Sequence, residues 1–504
     1  MGRAASFVIR QRGAAIAAIL ALIFFAGCLF AVGGIYNHDE EQYVGAAYFA
    51  RGLLLYRDFI YLQLPLQPIL LSAVFDRMDQ HFFMAARLFS GAAAIVSALL
   101  TVAIARKLGR GMLASCLFGL VFFAPFSIQA AAGSARNDML PVCFMLASIY
   151  GLLCAHRNPA RAIVWVAMAG FAAGAAFETK ATFLFVPLMG WLFSFRLAKT
   201  RQWSRSIVFV LCACLVMLPA IWLFLQAPAN FLFDTIGYHR TFALDWYRAE
   251  GKSDQLSLFY RAIYPFYAVI YEPLALAGFV LSGAAILRSP PVETGLRSLL
   301  LALGASAIVA TLACCLPSPP HRPYYTPVIA LGLIALIAAW PARVYVNRNV
   351  RGLALILAAV GIGIGVFNFA MLLPRAVQPK KWAPVQAYQN GRAIGEFMSR
   401  RGLRGKIATL APIWAIEAGG ETYRQWSAGP FFFRSADLLP PYRIAQLGGV
   451  SPRTADGLFA SEQPAAIFVG LKFRTDNDEA LIAYAHRMHY TRQPLPWGTL
   501  YLKR

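Results

Sequence analysis

The chain has 504 residues, 59% of them hydrophobic and only 14% charged, with a formal net charge of +23. A soluble domain carries roughly 25% charged residues, so this composition excludes one and indicates an integral membrane protein. Much of the positive charge sits in short connections, and the net +9 left on residues 374–504, from 18 Lys/Arg against 9 Asp/Glu, suits anionic lipid head groups or phosphorylated glycans better than nucleic acid.

Apolar stretches fall near 14–34, 83–105, 111–130, 138–155, 161–177, 181–196, 207–227, 262–287, 296–316, 323–341 and 351–373. A span needs roughly 20 mostly apolar residues, and the short pair 161–177 and 181–196 reads as a helical hairpin. The first stretch outruns a signal-peptide core and continues past Phe25-Ala26-Gly27-Cys28, so it reads as an uncleaved anchor. With about eleven spans, every basic cluster falls on one side: Arg3/Arg10/Arg12, Arg106/Lys107/Arg110, Arg157/Arg161, Arg196/Lys199/Arg201/Arg205, Arg288/Arg297 and Arg343/Arg348/Arg351. The positive-inside bias then places the N-terminus in the cytoplasm and the C-terminus outside. All eight cysteines lie within these stretches, which leaves none for a disulfide in an exported domain, and Cys212-Ala213-Cys214 reads as helix packing.

Three regions lie outside the spans. In the outer loop 35–82, Glu41–Leu54 alternates at near-helical spacing and is expected to lie in the membrane interface, with a break near Leu64-Pro65-Leu66-Gln67-Pro68 before a second short helix. The outer loop 228–261 is rich in Trp, Tyr, Arg and Asp and is long enough to act as a functional lid. Residues 374–504 are expected to form a small exported α/β domain, with a helix at 386–401, strands at 406–416 and 465–471, a helix near 476–488 and an edge strand within 490–502. The expected architecture is a polytopic α-helical membrane domain, 1–373, followed by that domain.

Candidate chemistry gathers on the outer side. Asp39 and Glu40, beside His38 and Glu41, follow the first span directly, where carboxylates can act as a general base on an acceptor hydroxyl or simply solvate the loop end. Asp138, in the turn Arg136-Asn137-Asp138, sits near bilayer depth, where an ionisable group is costly unless paired or functional; a helix N-cap is the competing explanation. Lys180, and the run His321-Arg322-Pro323-Tyr324-Tyr325, place cations on the same face. They suit a phosphate leaving group, although snorkelling anchors would look the same one at a time.

In order and sidedness these features resemble the GT-C glycosyltransferases, in the branch of the dolichyl-phosphate-mannose protein mannosyltransferases and aminoarabinose transferases. The resemblance covers about residues 10–345. It rests on His38-Asp39-Glu40-Glu41-Gln42-Tyr43, Tyr56-Arg57-Asp58 through Leu64-Pro65-Leu66, Ala135-Arg136-Asn137-Asp138, and Thr179-Lys180 with His321-Arg322-Pro323-Tyr324-Tyr325. It implies transfer of a sugar from a polyprenyl-phosphate donor to an envelope acceptor (lipid, lipopolysaccharide, glycan or protein) at the outer face of a bacterial cytoplasmic membrane, with inversion. Asp39 is then the base, Glu40 the competing choice, and Asp138 an assisting acid. Lys180, His321, Arg322 and Tyr325 would meet the donor phosphate. Relatives often carry Lys-Pro-Pro in the first loop where this chain has Gln63-Leu64-Pro65-Leu66, which leaves Arg57 as the substitute there. Some relatives use a divalent metal, but no ligand set here assigns one, and no other cofactor is implied.

The rival readings are a lipid-linked glycan flippase or transporter, a glycan polymerase, and a non-catalytic envelope-binding scaffold. A transporter places ionisable groups near mid-membrane, whereas the interiors of these spans are nearly free of charge.

Overall fold

The structure, a computed structural model, describes residues 2–196, 203–288, 294–315, 319–470 and 477–504. Lys199 and Arg201 of the basic connections, Pro317-Ser318 before His321, Leu471 at the end of one expected strand and Asp476 at the start of one expected helix lie outside those residues. Among the described residues, seven helices are long and apolar enough to cross a membrane, and up to ten spans result if each of three bent pairs counts as one. The apolar helix Ala181–Ser194 is shorter and occupies the place of the sixth expected span.

Two of the bends are sharp, and both have chemical causes. Met112–Val121 and Phe126–Ala132 meet at 76°, and Leu258–Ile270 and Pro273–Leu287 at 98°. Pro125 and Pro273 follow the breaks, and a proline disfavours helical geometry in the residue before it. The single straight span expected at 262–287 is therefore replaced by an angled pair. Glu272, at the second break, accepts hydrogen bonds from the backbone N–H of Phe126 (3.1 Å) and Ser127 (2.9 Å) and from the Ser127 hydroxyl (2.6 Å). It thereby covers the free amides of the helix that starts at the first break. Arg322 completes the junction, 3.0 Å from the same carboxylate. A stretch of small residues lets the next layer approach closely: a Cβ on Gly278 would collide with the carbonyl oxygen of Gly332.

The loop 35–82 holds the helices Glu40–Phe49 and Leu66–Phe75. The first differs from the expected interfacial helix in that residues 40–47 are all buried within the protein. The C-terminal segment covers it, and Gly45 permits the approach: a Cβ there would stand 2.7 Å from the Ser427 carbonyl oxygen.

That segment begins with the helix Ala383–Arg400 and carries four strands, β1 (Ile407–Ala408), β2 (Ala466–Val469), β3 (Thr491–Leu495) and β4 (Gly498–Leu502), in the order β1-β2-β4-β3. β1 runs parallel to β2, with Ile407 opposite Ala466, and the other pairings are antiparallel, with Ala466 opposite Leu502 and Thr491 opposite Leu502. Pro494 falls in the edge strand β3, where a missing N–H is tolerated. The strand expected over 406–416 shrinks to two residues because Pro412 starts a helix, Pro412–Glu417. The helix expected near 476–488 is Glu479–Arg487.

The segment does not stand apart from the outer loop. One hydrophobic core contains Val44, Leu71, Phe75 and Phe83 together with Ala383, Ile394, Ile413, Ile416, Phe468 and Leu500. A second joins Ile60 and Leu62 to Tyr238, Phe242, Phe432 and Ile444, which ties in the loop 228–261. That loop is helical over most of its length, with Phe233–Phe242 wound as a π-helix.

Candidate functional site

Where the loops 35–82 and 228–261 and the C-terminal segment meet the ends of the long helices, they enclose a cavity of about 930 Å³. Pockets of roughly 300–1,000 Å³ hold organic ligands. Asp39 is the one carboxylate among its lining residues, and Arg136, Lys180, Arg240, Lys252 and Arg434 are the lysines and arginines.

A closed circuit of contacts surrounds the cavity. Asp39 lies 3.2 Å from His38 Nε2, the His38 ring stacks on Phe431 at 5.7 Å, and the Arg434 guanidinium stands 5.0 Å from the Phe431 ring and 3.8 Å from the Trp246 ring. Trp246 touches Tyr247 at 4.9 Å, whose hydroxyl pairs with His321 Nε2 at 3.1 Å; His321 meets the Tyr324 ring at 5.6 Å, and Lys180 Nζ lies 4.9 Å from that ring. Lys180 and Arg136 both pair with Asp138, Arg136 Nε at 2.9 Å, and Arg136 returns to Asp39. Aromatic faces between cations are held by cation–π attraction and offer flat surfaces to a sugar ring.

The pocket's acids divide by environment. Asp39 is half-buried and reaches the cavity. Asp138 is 2% exposed and stands behind it. Burial would raise the Asp138 carboxyl, but Lys180 and Arg136 outweigh burial and hold it below the usual carboxylate range. Its role is then to fix both cations. Asn137 secures the same turn by donating to the Thr179 carbonyl at 3.1 Å.

Glu40 points the other way. It is fully buried, pairs with Arg87 at 2.6 Å, and accepts from the Asn37 and Ala135 amides at 2.9 and 2.6 Å. Arg87 in turn donates to the carbonyls of Gly34 and Ile35, both at 2.7 Å. This network ties the end of the first span to the turn before Asp138 and keeps Glu40 off the cavity wall.

Of the phosphate-binding candidates, Lys180 and His321 line the cavity. Arg57, Arg322 and Tyr325 do not. Arg57 is exposed and bonded only to its neighbour Asp58, at 2.9 Å. Arg322 is turned to Glu272 and the Phe126 ring. The buried Tyr325 hydroxyl contacts Cys315 Sγ at 3.2 Å. Arg136, Trp246 and Arg434 enter the site without having been given a role from sequence. Arg136 carried a usable signal, its place in the Arg136-Asn137-Asp138 turn, whereas Arg434 lies some 400 residues along the chain from Asp39 and nothing local in its sequence marks it.

Of the potential metal donors on the cavity wall, His38, Asp39, His239 and His321, only His38 and Asp39 stand side by side, at 3.2 Å. Among the described residues no group of three or more His, Cys, Asp or Glu is placed to hold an ion.

Comparison with known proteins gives a consistent picture. Residues 65–233 match the family described as dolichyl-phosphate-mannose-protein mannosyltransferase. No curated protein matches the chain. Among solved structures, ArnT from Cupriavidus metallidurans in the apo state superposes with a TM-score of 0.62 at 15% identity, over 99% of this chain and 98% of that one. The same protein bound to undecaprenyl phosphate gives 0.60 at 14% identity over the same shares. The Archaeoglobus fulgidus oligosaccharyltransferase in complex with Zn and sulfate gives 0.51 at 11% identity, over 89% of this chain and 67% of that one. The fold is the GT-C fold of ArnT, shared over 99% of this chain.

Proposed function

We propose that the chain transfers a sugar from a polyprenyl-phosphate donor to a hydroxyl of an envelope acceptor, with inversion, at the outer face of a bacterial cytoplasmic membrane. The observation that carries the reading is the cavity wall itself, in which a single carboxylate, Asp39, stands among several cations and aromatic rings. The end-to-end likeness in fold to a structure bound to undecaprenyl phosphate supports the class of donor.

In this reading Asp39 takes the acceptor proton as the hydroxyl oxygen attacks the anomeric carbon. Arg136 orients the Asp39 carboxylate, and Asp138 orients Arg136. The C–O bond to the donor phosphate breaks in line, and its electron pair leaves with the phosphate. Lys180 and His321, which line the cavity, would bind the donor phosphate through charge-assisted bonds. The lipid phosphate is already a good leaving group, so positioning and charge stabilisation supply most of the catalysis. The basic connections at the opposite end of the spans support an N-terminus in the cytoplasm and a site on the outer side.

The test is transfer from a panel of polyprenyl-phosphate sugars to an envelope extract by the protein in lipid nanodiscs. Transfer that falls at least about a hundredfold in Asp39→Asn, with unchanged thermal stability, is the expected result. Undiminished transfer in that variant removes Asp39 as the base, and absence of transfer from every donor rejects the transferase reading.

A further inference from the structure

We infer that Arg434, supplied by the C-terminal segment, takes up the negative charge that the phosphate held by Lys180 and His321 gains on departure; the inference rests on the transferase reading above. The argument is one of charge. Arg136 and Lys180, the buried cations of the cavity wall, are already matched by Asp39 and Asp138. Arg240 is exposed, and Lys252 has Glu250 at 3.9 Å. Arg434 is half-buried, and among the described residues no carboxylate pairs with it. Its Nε is buried without a hydrogen-bond partner, while the guanidinium plane lies over Trp246 at 3.8 Å.

A guanidinium so placed is partly withdrawn from water beside the Tyr238 hydroxyl but with no anion, a cost that a ligand anion would offset. The reaction supplies one. The donor is a phosphodiester with a single negative charge, and cleavage of the anomeric C–O bond turns it into a monoester carrying two. Meanwhile Asp39 gains the acceptor proton and loses its charge. One unit of negative charge thus moves from Asp39 to the phosphate. With the bound donor counted, Arg136, Lys180, Asp39, Asp138 and the phosphate carry a net single negative charge before and after the step, and Arg434 brings the site to neutrality. Position agrees with this role, since Arg434 lines the same cavity as Asp39 but stands apart from it, with His38 and the Phe431 ring between them, as a group on the leaving side must.

Two ligands that differ in charge test the assignment: undecaprenyl phosphate, a dianion at pH 8, and its methyl phosphodiester, a monoanion. Affinities are measured in zwitterionic nanodiscs for the full-length protein, Arg434→Gln, Arg434→Lys and, as a control outside the cavity, Arg492→Gln on the exposed edge strand β3. Wild type should prefer the dianion by about tenfold or more, the worth of roughly one charge-assisted bond. Arg434→Gln should bind the diester as wild type does and lose that preference, Arg434→Lys should keep part of it, and Arg492→Gln should keep all of it. A preference retained in Arg434→Gln overturns the inference, as does an equal loss of affinity for both ligands, which would make Arg434 a packing residue of the wall. If wild type binds neither ligand, the transferase reading fails first and the role of Arg434 with it.

Discussion

Glu41 accepts a hydrogen bond from the backbone N–H of Ile413 at 2.7 Å, across 372 positions of sequence, and takes a second from the Tyr36 hydroxyl. The acid two places from Asp39 is therefore fastened to the C-terminal segment. Burial pushes its carboxyl from 4.5 to about 8, against the pull of its two hydrogen bonds. Glu417 answers it from the other side, accepting from the Phe83 and His81 amides at 2.8 and 3.2 Å, and burial raises it to about 7.

A pH dependence of stability follows. Both acids hold protons in the folded chain that the unfolded chain releases near the ordinary carboxylate value. Their favourable contribution is complete below about 4.5 and is lost as pH rises, through about 7 for Glu417 and about 8 for Glu41. Thermal unfolding in detergent should show the melting temperature falling across that window. Glu41→Gln, which stays neutral and can still accept from Ile413, should flatten the fall. An unchanged slope in this variant would mean that Glu41 ionises normally in the folded protein.

The adjacent acids Asp39 and Glu40 should separate cleanly. Asp39→Asn should abolish transfer and leave the melting temperature within a degree or two of wild type. Glu40→Gln should instead lower stability, because it leaves Arg87 buried with its charge uncompensated, a loss on the order of 3–5 kcal/mol. Any fall in its activity should track the fraction folded. A stable but inactive Glu40→Gln would exchange the two assignments.

Sequence and structure agree where local chemistry decides and part where distant segments decide. The apolar helices were legible because membrane crossing needs only a long apolar run: among the described residues, seven long helices, three bent pairs and the shorter Ala181–Ser194 lie in the eleven apolar stretches. The bends were not foreseen, since Pro125 and Pro273 permit a break while Glu272, far from Phe126 in sequence, stabilises it. The helix Glu40–Phe49 has the pattern of an interfacial helix, and only the covering Pro412–Glu417 and Ser427 region shows it to be buried. Within the site, Asp39, Asp138 and Lys180 stood out because charge next to a span is conspicuous. Arg434 sits in an ordinary basic segment, and its meaning appears only once Trp246 and Phe431 are seen on either side of it.

The junction at Glu272 is open to the same reasoning. Glu272→Ala would strip two backbone amides and a hydroxyl of their acceptor and leave Arg322 without its partner. Each unsatisfied buried group costs about 1–3 kcal/mol. The variant should therefore be markedly less stable by thermal unfolding, and Glu272→Gln, which keeps an acceptor for the amides, should recover part of the loss. Equal stability of wild type and Glu272→Ala would show that the two bends are held by span packing alone.

Arg57 provides the opposite case. It is the residue left to reach the donor from the first loop if sequence alone is considered, yet its guanidinium is exposed and engaged with Asp58 in an ion pair of the surface kind. Such pairs contribute about 0–1 kcal/mol. Arg57→Gln should therefore leave both the melting temperature and the affinity for undecaprenyl phosphate close to wild type, within about twofold for the latter. A drop of tenfold or more, with stability intact, would mean that the loop 50–64 moves on donor binding and swings Arg57 into the cavity. The phosphate would then be shared between the first loop and the C-terminal segment, and the effects of Arg57→Gln and Arg434→Gln should fail to add in the double variant, as expected for two residues that touch one group.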